Sequence, residues 1–206
     1  MNADREGPRR IDSQSDGDPS AFLTLDVLEA RLSAAPRAPA DIGRVRLLVT
    51  RHQGGQRELL ERATMTPESG MPGDSWGRQR KPSPEAQLTA MQSDVADLIA
   101  NGQPLTLFGD QLFLDLDLSS ANLPAGSVLR AGTVTLEVTP MPHNGCRKFR
   151  ARFGDGALRF VSNRELRHLN LRGIYLRVIE AGDIAVDDEI HVLKRPSSEG
   201  QSKGSE

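Results

Sequence analysis

Pro124-Ala125-Gly126-Ser127-Val128-Leu129-Arg130-Ala131-Gly132-Thr133-Val134-Thr135-Leu136-Glu137-Val138 reads as a turn, a short strand, a break and a second strand. Pro124 to Gly126 turns the chain, because proline presets φ and glycine tolerates the tight conformations that follow. Val128 to Arg130 and Val134 to Val138 are strands, split at Ala131-Gly132. The same grammar extends in both directions. Upstream, Leu112, Leu114, Leu116 and Leu118 alternate with Phe113, Asp115, Asp117 and Ser119, a period of two with one wet face in its second half. Downstream, Ile174 to Ile179 is strand-like, Glu180 to Asp183 turns, and Ile184 to Val186 and Ile190 to Leu193 follow as strands. Short strands at close spacing predict a mainly β (α+β) protein, a barrel or closed sheet decorated by a few helices.

The N-terminal half supplies one more strand and the helices. Val45 to Thr50 alternates as a strand, and His52-Gln53-Gly54-Gly55 turns after it. Glu58 to Ala63 reads as a strand or a helical turn. Leu25, Leu28 and Leu32 fall at helical spacing, with Ser20 as the candidate cap and Pro36 and Pro39 as the stop. Met65 to Pro84 is a long irregular stretch, of the kind that is usually functional or disordered. Pro84 is expected to open a second helix with Leu88, Met91, Val95, Leu98 and Ile99 as its stripe and Asn101-Gly102 as its end. Residues 1–19 and 196–206 offer almost nothing to bury and are expected to be disordered tails around one domain over 20–195.

Composition narrows the function classes. The 206 residues carry 26 Lys and Arg against 28 Asp and Glu. That balance gives no global field toward nucleic acid or an anionic membrane. One cysteine excludes a disulfide scaffold and fits a reducing compartment. The first residues, Met1 to Pro8, are charged and lack the apolar core of a secretory signal. No apolar run approaches a membrane span. The expectation is a soluble, cytoplasmic protein.

The single cysteine, Cys146, sits in the most basic stretch, His143-Asn144-Gly145-Cys146-Arg147-Lys148-Phe149-Arg150-Ala151-Arg152-Phe153. Neighbouring cations favour the thiolate, the form that attacks, carries sulfur or binds a soft metal. An extended segment would place Lys148, Arg150 and Arg152 on the cysteine's side. A helix beginning after Gly145 would make Cys146 and Arg150 neighbours and put Phe149 and Phe153 on one face, with the helix dipole acting on the sulfur. His143 with Cys146 is too small a set for structural zinc, and a cysteine hydrolase would need a distant, oriented base. His52 with Gly54 and Gly55 resembles a phosphate-cradling turn without the Walker or Rossmann spacing. Trp76, the only tryptophan, is a pocket wall or a loop anchor. Asp115 and Asp117 read as a solvated strand face before a catalytic pair.

Taken in order, Gly109-Asp110-Gln111-Leu112, Asp115 to Ser119, Leu136 to Thr139, Pro142 to Phe149, Leu171-Arg172-Gly173-Ile174-Tyr175-Leu176-Arg177-Val178-Ile179 and Ala181-Gly182-Asp183-Ile184 to Asp188 resemble a MOSC domain, the C-terminal module of molybdenum cofactor sulfurases, also found alone in bacteria. Gly73-Asp74 is similar to the family's upstream element. The similarity covers most of residues 43 to 195. It implies a MOSC-type closed β-barrel with a cleft bearing the cysteine. It also implies that Cys146 carries sulfur or binds the molybdenum cofactor, a pterin with a dithiolene and a phosphate; in members that reduce N-hydroxylated compounds the cysteine is the molybdenum ligand. Cys146 is therefore the candidate catalytic and metal-binding residue. Lys148, Arg150 and Arg172 are candidates for the phosphate or the pterin, with His143 and Asn144 as further cofactor contacts. Two departures stand out: His143-Asn144-Gly145 where the family often has a proline beside the cysteine, and Asp187-Asp188 in the closing turn. Three functions follow: a molybdenum-dependent oxidoreductase with a redox partner, a persulfide carrier loaded by a cysteine desulfurase, and a non-catalytic small-ligand-binding domain.

Overall fold

A computed structural model describes residues 10–12 and 16–196. In chain order the elements are β1 (Arg10–Asp12), α1 (Leu25–Ala34), β2 (Ile42–Arg51), β3 (Gln56–Leu60), β4 (Arg62–Met65), β5 (Leu88–Gln92), α2 (Ser93–Ala100), β6 (Leu112–Asp115), β7 (Val128–Ala131), β8 (Val134–Val138), α3 (Arg147–Val161), β9 (Ile174–Glu180), β10 (Gly182–Ala185) and β11 (Glu189–Lys194).

Seven strands close on themselves in the order β2-β11-β7-β8-β9-β5-β6, and β6 pairs back onto β2. All these pairs are antiparallel except β5 with β6. A parallel pair needs a crossover, and α2 is that crossover. β3 extends the sheet beyond β2, β1 pairs with β3, and β4 and β10 form a separate two-stranded ribbon. Closure removes the exposed edges that short strands would otherwise present.

Alternation along the strands divides the apolar residues into two cores. Leu48, Leu88, Ala90, Leu112, Leu114, Leu129, Leu136, Leu176 and Ile190 fill the barrel, with Met65 and Ile184 from the β4–β10 ribbon joining them. Val49, Met91 and Phe113, one residue out of phase, point outward into a second core with Leu28, Ile99, Phe149, Phe153 and Phe160. That second core is where the helices dock. Each buried aromatic ring there contributes on the order of 2–3 kcal/mol.

The double core explains the main departure from the sequence expectation. Leu88 to Gln92 is a strand, and the helix begins only at Ser93. Leu88, Thr89, Ala90 and Met91 are all buried, so β5 shows no wet face and no alternation, and its apolar residues merged with those of α2 into an apparent helical stripe. Pro84–Ala86 is a single 3₁₀ turn. Thr24 caps α1 through its hydroxyl, while Ser20 sits in the preceding 3₁₀ turn and donates to Asp18. Leu116 and Leu118 are buried as their alternation suggested, but the ladder stops at Asp115. Residues 56–65 form two strands. Of the expected tails, residues 1–9, 13–15 and 197–206 lie outside the described residues; Gly17 N donates to Ala151 O, against α3. Among the described residues no helix is long and apolar enough to cross a membrane.

Candidate functional site

The cysteine lies where a strand-rich barrel hands over to its longest helix. Phe149, Phe153, Ala157 and Phe160 recur at helical spacing and are buried, so the segment after Gly145 gains more as a helix against the outer core than as a strand. Phe153 stacks on Phe108 with centroids 4.2 Å apart, and Phe149 lies 5.0 Å from Phe153. Gly154 breaks the helical geometry at φ +83°, and a Cβ there would fall 2.8 Å from the Phe22 ring. Cys146 is the N-cap, exposed, with extended backbone, and its carbonyl accepts from Arg150 N at 3.0 Å.

Behind the cysteine loop is a buried charge cluster. Asp110, in the Gly109-Asp110-Gln111 segment that leads into β6, accepts from Arg172 Nη1 at 2.7 Å. Arg172 also reaches the Phe108 carbonyl and lies 5.2 Å over the Phe149 ring. His143 packs on Tyr175 with centroids 4.7 Å apart, and its Nδ1 is 3.7 Å from Asp110 Oδ1. Both of those atoms are buried without a hydrogen-bond partner among the described residues. Burial first, then the charge of Arg172, pushes His143 down to about 4, against the opposing pull of Asp110. The imidazole is neutral at pH 7. Tyr175 is pushed above the usual phenol range by burial and by Asp110, with Cys146 adding to the effect.

In front of the helix is a basic cleft of about 600 Å³ lined by Arg51, Arg57, Lys148 and Arg152, the Gln53-Gly54-Gly55 turn, His52 and Asp16. The sequence builds it from two places. β2 ends at Arg51, the glycine turn reverses the chain, and β3 returns with Arg57 opposite Arg51. The first two turns of α3 supply Lys148, Ala151 and Arg152. Arg51 is held by Asp74, Nε and Nη2 both donating at 2.8 Å. Burial works against its charge, but Asp74 outweighs burial and holds its pKa above the ordinary value. Among the described residues Arg57 has no such carboxylate. Burial, then the charges of Arg51 and Arg152, bring it down to about 10, and its Nε is buried without a partner. Burial also lowers Arg152, and Cys146 opposes that effect. Three guanidiniums that repel one another around a hollow are stabilised by an anion placed between them.

The sequence-predicted residues are thus distributed. Lys148 lines the cleft, and Cys146 precedes it by half a helical turn. Arg150 is exposed and pairs with Asp155 at 2.6 Å. Arg172 is buried in its pair with Asp110. His143 lies behind the loop, and Asn144 is exposed. Arg51, Arg57, Arg152, Asp110, Asp74 and Tyr175 complete the arrangement without having been singled out from the sequence as site residues. Asp110, Asp74 and Tyr175 carried a signal as parts of the segments that resemble the family, and Arg152 as part of the basic run, whereas nothing local marks Arg51 or Arg57. Trp76 is buried and donates Nε1 to Ser83 O at 2.9 Å, so it anchors its loop. A larger cavity of about 780 Å³ lies along the β4–β10 ribbon, lined by Arg62, Thr64, Thr133 and Asp183 among others; it shares His52 with the basic cleft but contains neither Cys146 nor the cleft's cations.

Residues 77–191 match the family model of the MOSC domain. The fold is similar to the crystal structure of YiiM from Escherichia coli, with a TM-score of 0.51 and 20% identity over 75% of this chain and 71% of that one. It is also similar to the YuaD protein from Bacillus subtilis, with a TM-score of 0.55 and 15% identity over 74% of this chain and 97% of that one. No curated protein sequence matches the chain.

Proposed function

The chain belongs to the MOSC domain family, and from that premise we propose that it binds a molybdenum cofactor, with the Cys146 sulfur as the protein's ligand to the metal and the basic cleft as the seat of the cofactor's phosphate. The family is linked to molybdenum cofactor binding or to sulfur chemistry. The observation that carries the proposal is the convergence of Arg51, Arg57, Lys148 and Arg152 on one cleft half a helical turn from an exposed cysteine. The residues present fit the group. Arg57 keeps a buried Nε with no partner, and the Gln53–Gly55 turn brings backbone to the same wall. An anion there would offset the repulsion that lowers Arg57. When bound, the cofactor supplies two-electron redox chemistry, and the reaction class the family suggests is reduction of N-hydroxylated compounds. The protein's own residues do the rest. Lys148 and Arg57 hold the phosphate, Arg51 is fixed by Asp74 as a rigid wall, and the Asp110–Arg172 pair with the Phe108–Phe153 stack holds the first turn of α3, and so Cys146, in place.

Elemental and pterin analysis of the protein purified from a host that makes the cofactor tests this. Stoichiometric molybdenum is expected, and Cys146→Ser should lose it. Absence of both metal and pterin from the unsubstituted chain defeats the proposal.

A second reading is favoured by one observation: Cys146 is exposed, outside the lining of the cleft. An exposed sulfur suits a carrier that accepts sulfane sulfur from a cysteine desulfurase. The Cys146 thiolate attacks the outer sulfur of the donor persulfide, the donor S–S bond breaks, and the donor leaves as its thiolate. Intact mass after incubation with a desulfurase and cysteine should rise by one sulfur, and Cys146→Ser should abolish the rise. An unchanged mass in the native chain removes this reading.

A further inference from the structure

A second hollow of about 550 Å³ lies on the other flank of the cysteine loop, where Pro142 and His143 meet the segment that follows α3. Its chemistry differs from that of the basic cleft. One wall is apolar, with Met141, Pro142 and Ile174. Arg164 and Arg167 also line the hollow. Both are exposed, and neither guanidinium has a carboxylate or carbonyl partner among the described residues. Glu165, the acid of that segment, is not part of the lining. The inner end is His143, whose side chain is 8% exposed. Its Nδ1 faces Asp110, and its Nε2 has no protein partner among the described residues. With the proton on Nδ1, toward the carboxylate, Nε2 presents a lone pair.

We propose that this hollow is a ligand site for a small organic anion with a flat apolar body, its acidic group held by Arg164 and Arg167 and a hydrogen-bond donor at its other end received by His143 Nε2. An imidazole nitrogen that no protein donor occupies leaves an acceptor for a ligand at the end of a half-apolar cavity. Two unpaired guanidiniums at the mouth select a negative partner by charge and geometry. The apolar wall gives the body of the ligand a surface to cover. The hollow is bordered by Pro142 and His143, in the segment that leads into Cys146, the N-cap of α3. The inference stands apart from the cofactor proposal, since none of its residues lines the basic cleft.

The test is an NMR titration of the ¹⁵N-labelled full chain with 4-hydroxybenzoate, using 4-hydroxybenzamide and benzoate as controls. Saturable shifts are expected at the His143 imidazole nitrogens and at the amides of His168, Gly173 and Ile174. The uncharged amide should bind at least about tenfold more weakly, as should the Arg164→Gln/Arg167→Gln double variant, because a charge-assisted hydrogen bond is lost. Benzoate, lacking the donor, should bind several-fold more weakly and leave the imidazole nitrogens near their free positions. Both arginines are exposed, so the double variant keeps the fold. The proposal is overturned if no shift saturates by about 50 mM, if the shifts fall only on Gln53 to Arg57 and Lys148 to Arg152, or if the double variant binds as tightly as the parent. Protein without metal serves equally well, so a failure here leaves the cofactor proposal standing, and the reverse also holds.

Discussion

Acidification should weaken the fold within a defined window, and His143 should account for much of the loss. The imidazole titrates at about 4 in the folded chain against 6.5 for an ordinary histidine, because it is buried and faces Arg172, with Arg51 adding to the effect and Asp110 opposing it. Between these values the unfolded chain holds a proton on this residue and the folded chain does not. Stability therefore rises with pH across the window, is complete above about 6.5, and is lost progressively as pH falls toward 4. At roughly 1.4 kcal/mol per pH unit, the whole interval is worth about 3 kcal/mol. Other groups titrate in the same range, so the measurement is a difference. Urea unfolding of the native chain and of His143→Gln, followed by the emission of the buried Trp76, gives stability at pH 7, 6 and 5. The native chain should lose about 1.4 kcal/mol more than the variant for each pH unit near the middle of the window. Any stability the glutamine loses in packing on Tyr175 is the same at each pH and leaves the slope untouched. Equal slopes in the two proteins would refute the reasoning, and would mean that His143 is hydrated or protonated in the native fold.

Asp110→Ala should destabilise by about 3–5 kcal/mol, since it leaves the Arg172 guanidinium buried without its carboxylate; a urea midpoint within experimental error of the parent would contradict the pairing. Gly173→Ala should be among the most damaging single changes, by more than about 3 kcal/mol, because φ is +90° and a Cβ would lie 2.2 Å from the Ala90 carbonyl oxygen; a soluble variant of parental stability would count against the strand β9 entry described here. Arg57→Met should leave the cofactor-free protein no less stable, by relieving repulsion from Arg51 and Arg152, yet weaken inorganic phosphate binding about tenfold in calorimetric titration. Phosphate affinity equal to the parent's would take Arg57 out of the anion site. Cys146→Ser should change unfolding stability by no more than about 0.5 kcal/mol, since the side chain is exposed; a larger loss would show that the sulfur is packed.

The barrel was legible where strands have one wet face or are separated by turns. The Val45–Thr50 strand and the Val128–Val138 pair announce themselves by period and punctuation and take their places in the closed sheet, although a bulge between Val45 and Leu47 turns Leu48 into the barrel beside Val45 and Leu47 and Val49 away from it. β5 was illegible for a physical reason: it is covered by the barrel core on one side and by the helical core on the other, so its sequence carries no alternation. The helix after Cys146 was one of two geometries open from the sequence, and its aromatic stripe decided between them only once Phe108 and Phe113 were in place to receive it. The site divides in the same manner. Cys146 and Lys148 are adjacent in sequence to the basic run that drew attention to them. Arg51 and Arg57 are about ninety residues away, and nothing local marks them, because the cleft exists only when the β2–β3 hairpin and α3 meet. Arg172 is conspicuous as a charge after Leu171, but its partner Asp110 is sixty-two positions earlier, and their pairing keeps it out of solvent.

β2 takes part in three ladders, with β11 near its start, β6 along its middle and β3 at its end. The strand that seals the cylinder is therefore the same piece of chain that terminates in Arg51. Widening the anion seat on that flank would unzip hydrogen bonds to several neighbours together, so opening and global unfolding should share one barrier there. The opposite flank is the start of α3, pinned by Phe149 beneath Arg172 and by the Phe108–Phe153 stack, so what is left to adjust there is the exposed side chains of Cys146 and Lys148. A cofactor or a sulfur donor would thus meet backbone that is fixed on both sides and side chains that reach to it.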